Sequence, residues 1–436
     1  MRELDDLEVA CDALARALES AEGEASTSNR ARLETITKRL AALVPPPPVR
    51  PGSSGKSSSK QPREFDFARY TTRAIALHVA YLGWDYHGFA SQGSGAAPPT
   101  VERALFNALG KTRLVASEHD VFSAADYSRC GRTDKGVSGL GQIVTLKVRS
   151  NGATAVEDEL DYVALLNRTL PDDVRVLGWA PVDDELNARF DCKWRQYKYF
   201  FEKTSGLDVD AMRRAAALFE GVHDFRNFCR MDAENVKSFT RKVLECSVAD
   251  SEDGKLMYIK VRGSAFLWHQ VRCMASVLFM VGLGHEEPEI VTQLLDLEQT
   301  PRKPQYSMAP EQPLLLWKSA YDESRLDVEN MNLSDHALTQ LETSVAAQMH
   351  TQRVRVAILE ETWAHLRRVR TQRVGNGVAD ITRDLAAVTC AGNVSVARSR
   401  HQRLCDRPTE RTFEERRERI EANANDTKPA RDWTGD

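Results

Sequence analysis

A short charged stretch from Ser128 to Gly139 imposes the strongest constraint on how this chain folds. Its sequence, S-R-C-G-R-T-D-K-G-V-S-G, places two arginines, a lysine and an aspartate among three glycines. Glycines let a backbone turn sharply or approach another group closely. The segment that follows, Gln142 to Val148, alternates apolar and polar residues and predicts a half-buried strand. A charged loop that leads directly into a strand is a place where a fold can hold a functional side chain still.

The aspartate of this loop, Asp134, is the candidate reactive group. It stands between Arg132 and Lys135, and because nearby cations favour the ionised carboxylate, we expect its pKa to be lowered. An ionised carboxylate can act as a nucleophile or a base. Taken alone, the same residues also describe a turn in which Asp134 caps the backbone, and that structural interpretation is the commoner one. Cys130 is interpreted as a packing thiol rather than a redox group.

The 436-residue chain divides into an N-terminal helical extension, a disordered linker rich in proline, serine and glycine, a folded core, and a helical, partly disordered C-terminal extension. These parts are residues 1–44, 45–64, 65–325 and 326–436. We expect the folded core to consist of two halves, at about 65–190 and 191–325.

Segments with strand periodicity alternate with helical segments throughout the core. Lys242 to Val248 and Leu256 to Arg262 predict a pair of strands, whereas Trp268 to Gly282 predicts a long apolar helix. Strands with interspersed helices indicate the α+β class, with a mixed or antiparallel sheet packed against flanking helices.

Composition narrows the functional classes. The net charge of −4 is mild, so an RNA-binding surface would have to be a local basic cleft. The eight cysteines form no C-x-x-C pair, which favours free thiols over disulfides or zinc. There is no apolar run of about 18 residues, and the acidic N-terminus has no apolar signal core, so we expect neither a membrane span nor secretion.

The loop and seven further blocks resemble the TruA family of tRNA pseudouridine synthases. The loop block is Arg129 to Val137, and the others follow at family-like intervals from about Ala74 to Tyr321. They are Gly88-Phe-Ala-x-Gln92, Thr100-Val-Glu102, Asn167-Arg-Thr-Leu-Pro171, Asn187-Ala-Arg-Phe190, Arg195-Gln-Tyr-Lys-Tyr199, Gly221-Val-His-Asp-Phe225 with Thr240-Arg-Lys-Val243, and Ala265-Phe-Leu-Trp-His-Gln-Val-Arg272. Ordered matches of this kind are far more specific than any single motif. The resemblance implies the pseudouridine synthase fold with a central catalytic cleft.

The resemblance also implies roles for particular residues. Asp134 is the nucleophile, Tyr197 stacks on the uracil and helps to move the C5 proton, and Arg272 pairs with Asp134. Arg132 fills the space left by the flipped nucleotide. Further substrate contacts are implied for Arg129, Lys135 and Phe266. Basic residues near the blocks would supply the local basic cleft, and these are Arg129, Arg149, Lys193, Lys198, Arg226, Arg230, Arg241 and Lys242.

The implied reaction converts uridine to pseudouridine without net redox change or energy input, so no cofactor and no metal are expected. The sequence has no G-x-G-x-x-G, no P-loop and no metal-ligand cluster. The segments Tyr306 to Trp317 and Arg407 to Arg416 resemble the eukaryotic branch, which acts on tRNA positions 38 and 39 in the anticodon stem-loop. The expected partners are tRNA and a second copy of the chain, in the nucleus or cytoplasm. Two alternatives stay open: action at other tRNA positions, or a tRNA-binding or folding protein that has lost catalysis.

Overall fold

The computed structural model describes residues 65–91, 98–116, 121, 125–204, 206–374 and 401–426. The chain divides into one unit from Met1 to Phe65 and a second from Asp66 to Asp436. The predicted N-terminal extension and linker lie outside the described residues. Within the described ranges, no helix combines the length and apolar character needed to cross a membrane.

The described residues of the second unit form nine strands and seven α-helices. The strands are β1 (Thr71–Tyr81), β2 (Ser128–Arg129), β3 (Ser138–Ser150), β4 (Val174–Pro181), β5 (Trp194–Phe201), β6 (Gly221–Asp224), β7 (Thr240–Asp250), β8 (Met257–Gly263) and β9 (Leu314–Ala320). The helices are α1 (Val101–Lys111), α2 (Tyr162–Asn167), α3 (Val209–Ala217), α4 (Gln270–Gly282), α5 (Ile290–Leu295), α6 (Asp335–Val374) and α7 (Phe413–Asp426).

All nine strands belong to one mixed sheet in the order β4-β1-β3-β9-β5-β8-β7-β6, with β2 paired to β3. Neighbouring strands run antiparallel except β3 and β9, which pair in parallel at Ser138 with Leu315 and at Gly139 with Leu316. This parallel contact is a seam. Strands from the earlier part of the chain lie on one side, and strands from the later part lie on the other.

Each side of the seam has its own apolar core. One cluster packs β1, β3 and β4 against α1 and α2, and the other packs β5, β7 and β8 against α3 and α4. Every residue of α4 is buried, which explains why its sequence is mostly apolar. The predicted α+β class, with a mixed sheet packed against flanking helices, is confirmed.

Local signals set several element boundaries. Thr100 caps α1 by accepting a hydrogen bond from the Arg103 backbone N–H, as its position before the helix predicts. The predicted helix from Trp268 begins later, at Gln270, because His269 adopts a left-handed backbone (φ 60°, ψ 13°) that no helix can include. The exposed Trp268 is thereby excluded from the helix.

The C-terminal extension contributes two helices among the described residues. They are α6 (Asp335–Val374) and α7 (Phe413–Asp426). The segment before α7 packs on the core: the Leu404 side chain is fully buried, and its backbone N–H donates to Glu286 at 2.7 Å.

Candidate active site

The loop that carries Asp134 is held in place by β1 and by the segment that connects β1 to α1. The backbone N–H of Phe89 donates to the Thr133 carbonyl at 3.1 Å, and the Tyr81 hydroxyl bonds the Thr133 hydroxyl at 2.8 Å. Gly88 has φ +97°, and a Cβ there would lie 2.8 Å from the Thr133 carbonyl oxygen. Only glycine permits this close approach, which fixes the backbone immediately before Asp134.

The sheet register brings the loop and the predicted tyrosine together. Gly139 at the start of β3 pairs with Leu316 of β9, and Leu316 also pairs with Tyr197 of β5. Two strand spacings separate the backbones, which is about 10 Å. The Asp134 carboxylate is close enough to Tyr197 to raise the pKa of its phenol. Residues more than sixty positions apart therefore meet across the seam.

The pKa of Asp134 is raised to about 6, whereas the flanking cations led us to expect a lowered value. Burial is the largest cause, because it disfavours the charged carboxylate. The cations that oppose burial are Arg272 and Arg230, not Arg132 and Lys135. Arg132 and Lys135 are both exposed, so solvent screens their charges. The prediction of a lowered pKa was wrong, although a carboxyl of this pKa is still mostly ionised at neutral pH.

Arg272 does not form the predicted direct ion pair with Asp134. Among the described residues its guanidinium pairs with Glu311, at 2.7 Å from Nη2 to Oε2, and donates from Nε to the Ala309 carbonyl at 2.8 Å. It acts on Asp134 through space, as the first of the influences that lower its pKa. The site therefore uses Arg272 as a neighbouring charge rather than as a contact.

Glu311 connects Arg272 to the loop. Gly136, two residues after Asp134, has φ +78°, and a Cβ at this position would lie 2.5 Å from Glu311 Cγ. Glycine at 136 thus admits the carboxylate that neutralises Arg272. Glu311 also raises the pKa of Asp134. Sequence analysis assigned Glu311 no role, although it lies in a segment that resembles the eukaryotic branch.

His269 is a second neighbour whose place sequence analysis missed. Its Nε2 lies 3.4 Å from Asp134 Oδ2, and its buried Nδ1 has no hydrogen-bond partner among the described residues. Burial, together with Arg272 and Arg230, lowers the pKa of His269 to about 4, so the ring is neutral at physiological pH. The left-handed backbone of His269 could not be predicted, because nothing in the local sequence indicates it. The position of its side chain beside Asp134 was therefore missed.

An aromatic pair lines the site on the β5 side. The Tyr197 and Phe266 rings meet edge to face, with centroids 5.2 Å apart. Burial raises the pKa of Tyr197 well above its ordinary value. Its hydroxyl therefore stays protonated. The neutral ring can stack on a planar group and the hydroxyl can donate a hydrogen bond, but it is not suited to abstracting a proton.

Some of the predicted basic residues form ion pairs within the described part of the chain, and others do not. Arg132 and Lys135 are exposed and have no ion-pair partner within the described ranges. Arg129, in contrast, contacts the buried carboxylate of Glu102, and Lys193 and Arg226 pair with nearby aspartates. The Arg230 guanidinium lies 4.5 Å from the Trp268 ring centroid and acts on Asp134. The local positive field at the loop therefore comes from fewer residues than the sequence suggested.

The site combines a partly buried carboxylate, an aromatic pair and an exposed arginine. These groups are suited to nucleophilic chemistry on a planar group carried by a polyanion. No cluster of three metal-ligating side chains occurs in the described part of the chain. A family model described as tRNA pseudouridine synthase matches residues 215–322.

Relatives extend this match over most of the core. The chain is 44% identical over 299 residues to the tRNA pseudouridine(38/39) synthase of Bos taurus, covering 63% of this chain and 60% of that protein. It is 40% identical to the enzyme of the same name from Saccharomyces cerevisiae, covering 66% of each chain. It is 35% identical to the probable tRNA pseudouridine synthase tag-124 of Caenorhabditis elegans, covering 73% of this chain and 84% of that protein.

The chain belongs to the TruA family of tRNA pseudouridine synthases. It covers less than two thirds of the length of the bovine and yeast relatives.

Proposed function

We propose that this protein isomerises uridine to pseudouridine in the tRNA anticodon stem-loop, at positions 38 and 39. The observation that carries the proposal is the Asp134 carboxylate: it is partly buried, ionisable near neutral pH and held on a rigid loop beside Tyr197. The names of the bovine and yeast relatives support the choice of positions.

The reaction breaks the N1–C1′ bond and forms a C5–C1′ bond, while C5 loses its proton to solvent and N1 gains one. Asp134 attacks either C1′ or the uracil ring, and both routes need an ionised carboxylate close to a uridine removed from its stack. A neutral Tyr197 can stack on the uracil and exclude water. Phe266 supports that ring edge to face.

Removing the uridine from its helix costs a few kcal/mol of unstacking. Arg132 is suited to offset part of this cost, because its guanidinium is exposed, next but one to Asp134 and free of an internal carboxylate partner in the described ranges. A guanidinium can stack in the vacated space and contact phosphate at once.

Tritium release tests the proposed activity. The purified full-length chain is incubated with a tRNA transcript that contains uridine tritiated at C5. Isomerisation replaces that C5–H bond, so tritium should appear in the solvent without added nucleotide. Stable tRNA binding with no release on any transcript would favour a binding protein that has lost catalysis.

The pH dependence should report Asp134. Its pKa is raised to about 6, and activity requires the ionised form, so the single-turnover rate should fall about tenfold per pH unit below 6 and level off above 7. The pKa of His269 is about 4, so His269→Gln should leave the midpoint near 6. A midpoint near 4 in the wild type would contradict the role of burial.

We further propose that the protein is a homodimer joined along α6. Six apolar side chains form a stripe at alternating spacings of three and four, interrupted once by Gln352, and each is 40–67% exposed. The stripe consists of Val345, Met349, Val356, Leu359, Trp363 and Leu366. It extends over about 33 Å of helix. This heptad pattern is typical of a two-stranded coiled coil.

Charges beside the stripe favour a second copy of the same helix. Arg355 and Glu360 occupy flanking positions five residues apart, which is the spacing that pairs opposite charges between parallel strands of a coiled coil. Two copies related by a two-fold axis would form this pair twice.

A charge within the stripe should separate the copies. Leu359→Glu should reduce the mass measured by light scattering from twice the 48.9 kDa chain mass to one chain. Ile358→Glu is the matched control, since Ile358 is 61% exposed but lies off the stripe, and it should remain dimeric. A wild type that is monomeric at all concentrations would overturn the homodimer.

A further inference from the structure

Beside the Asp134 loop lies an exposed aromatic side chain on a turn that is unusually well fixed. Phe190 is 79% exposed. The Asn187 side-chain oxygen accepts hydrogen bonds from the backbone N–H groups of Arg189 and Phe190, at 3.0 and 3.2 Å. The Ala188 carbonyl accepts from the buried Tyr321 hydroxyl at 2.6 Å. The surrounding structure thus fixes the backbone that presents this exposed ring, and the Arg189 guanidinium lies 5.6 Å from the ring centroid.

The same turn is joined to the Asp134 loop. Buried Arg195 donates from Nη2 to the Cys130 carbonyl at 2.6 Å and to the Arg189 carbonyl at 2.9 Å. The Ser128 hydroxyl accepts from the Ala188 backbone N–H at 2.8 Å. The position of Phe190 is therefore fixed relative to the loop.

A positive charge lies beside Phe190 on the same turn, where the acidic neighbour Asp191 is already paired with Arg325. Arg189 is exposed and, like Arg132, makes no ion pair with any described residue. Burial, Arg129 and Arg189 lower the pKa of Arg132, and Glu102 opposes them. Because the turn is joined to the Asp134 loop, the two like charges on this exposed surface can bind one anion between them.

We propose that Arg189 and Phe190 form a subsite for the tRNA strand that flanks the flipped uridine. A phosphate of that strand lies between Arg189 and Arg132, and an adjacent unpaired base stacks on Phe190. RNA fits this surface better than a protein segment, because a stacking ring beside paired cations matches the alternation of base and phosphate. The inference rests on the proposed function, since it assumes a tRNA substrate.

Binding of an unmodified tRNA transcript to the full chain, measured at several salt concentrations, separates base stacking on Phe190 from the phosphate contact of Arg189. Phe190→Ala should weaken binding by about tenfold at every salt concentration, because a stacked base releases no counterions. Arg189→Ala should weaken binding at low salt and lower the slope of log K against log salt by about one. Phe190→Tyr and Arg189→Lys should retain most of the affinity.

Matched controls come from the other side of the fold. Val222 is 61% exposed on β6, and Arg214 is an exposed arginine on α3 without an ion pair in the described ranges. Val222→Ala and Arg214→Ala should bind as the wild type does. In turnover, Phe190→Ala should raise KM more than it lowers kcat, because the ring holds the strand and does not touch the reacting atoms.

The outcomes distinguish this inference from the proposed function. If the wild type isomerises tRNA but Phe190→Ala and Arg189→Ala bind and turn over normally, the subsite is wrong and the function stands. If the wild type neither binds nor isomerises tRNA, the proposed function itself fails. A uniform loss in both variants accompanied by a lower melting temperature would show a structural role and overturn the subsite.

Discussion

Asp134→Asn is expected to abolish pseudouridine formation, with a loss of at least about a thousandfold in the single-turnover rate. The variant keeps the shape of the side chain but removes the only form of the group that can attack the substrate. Because Arg132 and the Phe190 turn are unchanged, the affinity for unmodified tRNA should stay within about threefold of the wild type. Single-turnover tritium release and equilibrium binding measure the two quantities on the same preparation.

The loss should not come from unfolding. The folded state raises the pKa of Asp134 to about 6, so it binds the proton more tightly than the unfolded chain does. The ionised carboxylate therefore destabilises the fold above pH 6, and this cost vanishes as the pH falls towards the ordinary value. Asp134→Asn should accordingly melt at the same temperature as the wild type or higher at pH 7.5.

A control carboxylate lies on the neighbouring loop. Asp85 is exposed and no ion pair is found for it within the described ranges. Asp85→Asn should retain full activity. If Asp134→Asn still releases tritium at more than a few per cent of the wild-type rate, the nucleophile has been assigned to the wrong residue.

Arg272→Ala should have the second largest effect, because it removes two supports at once. Glu311 would lose its ion-pair partner in a largely buried site, which costs about 3 kcal/mol of folding stability. The pKa of Asp134 would rise further, since the main cation that lowers it is gone while Glu311 continues to raise it. We expect lower stability in denaturant and an activity profile moved to higher pH.

Two companion variants separate these effects. Arg272→Lys keeps the charge but loses the fork that binds Glu311 and the Ala309 carbonyl together, so its activity should lie between wild type and Arg272→Ala. Glu311→Gln removes a charge that raises the pKa of Asp134, so its activity profile should move to lower pH. Equal losses in the alanine and lysine variants, or no shift in either profile, would contradict the through-space role of Arg272.

The periodic parts of the fold could be predicted from sequence because their burial is regular. The alternation in Lys242 to Val248 fell within β7, and the mostly apolar run before Gly282 became a helix that is buried on all sides. The cap at Thr100 also followed from local chemistry. In these segments the local preference and the tertiary environment agree, so the sequence alone was sufficient.

The electrostatics of the site could not be predicted in the same way. Sequence adjacency made Arg132 and Lys135 the natural partners of Asp134, yet both side chains face solvent and burial governs the pKa. The cation that most lowers the pKa of Asp134 is Arg272, which lies on the distant helix α4 and is paired with Glu311. Glu311 can lie against the loop only because Gly136 has no side chain. Such contacts depend on the parallel pairing of β3 with β9, and no local sequence pattern predicts that pairing.

Mapping pseudouridine along the tRNA shows whether Asp134 drives isomerisation at positions 38 and 39. The purified wild type and Asp134→Asn are each incubated with unmodified tRNA transcripts that carry uridine at positions 38 and 39, and pseudouridine is located at single-nucleotide resolution. We expect pseudouridine at 38 or 39 with the wild type and none with Asp134→Asn. Wild-type signal only at other positions, or equal signal from both proteins, would contradict it.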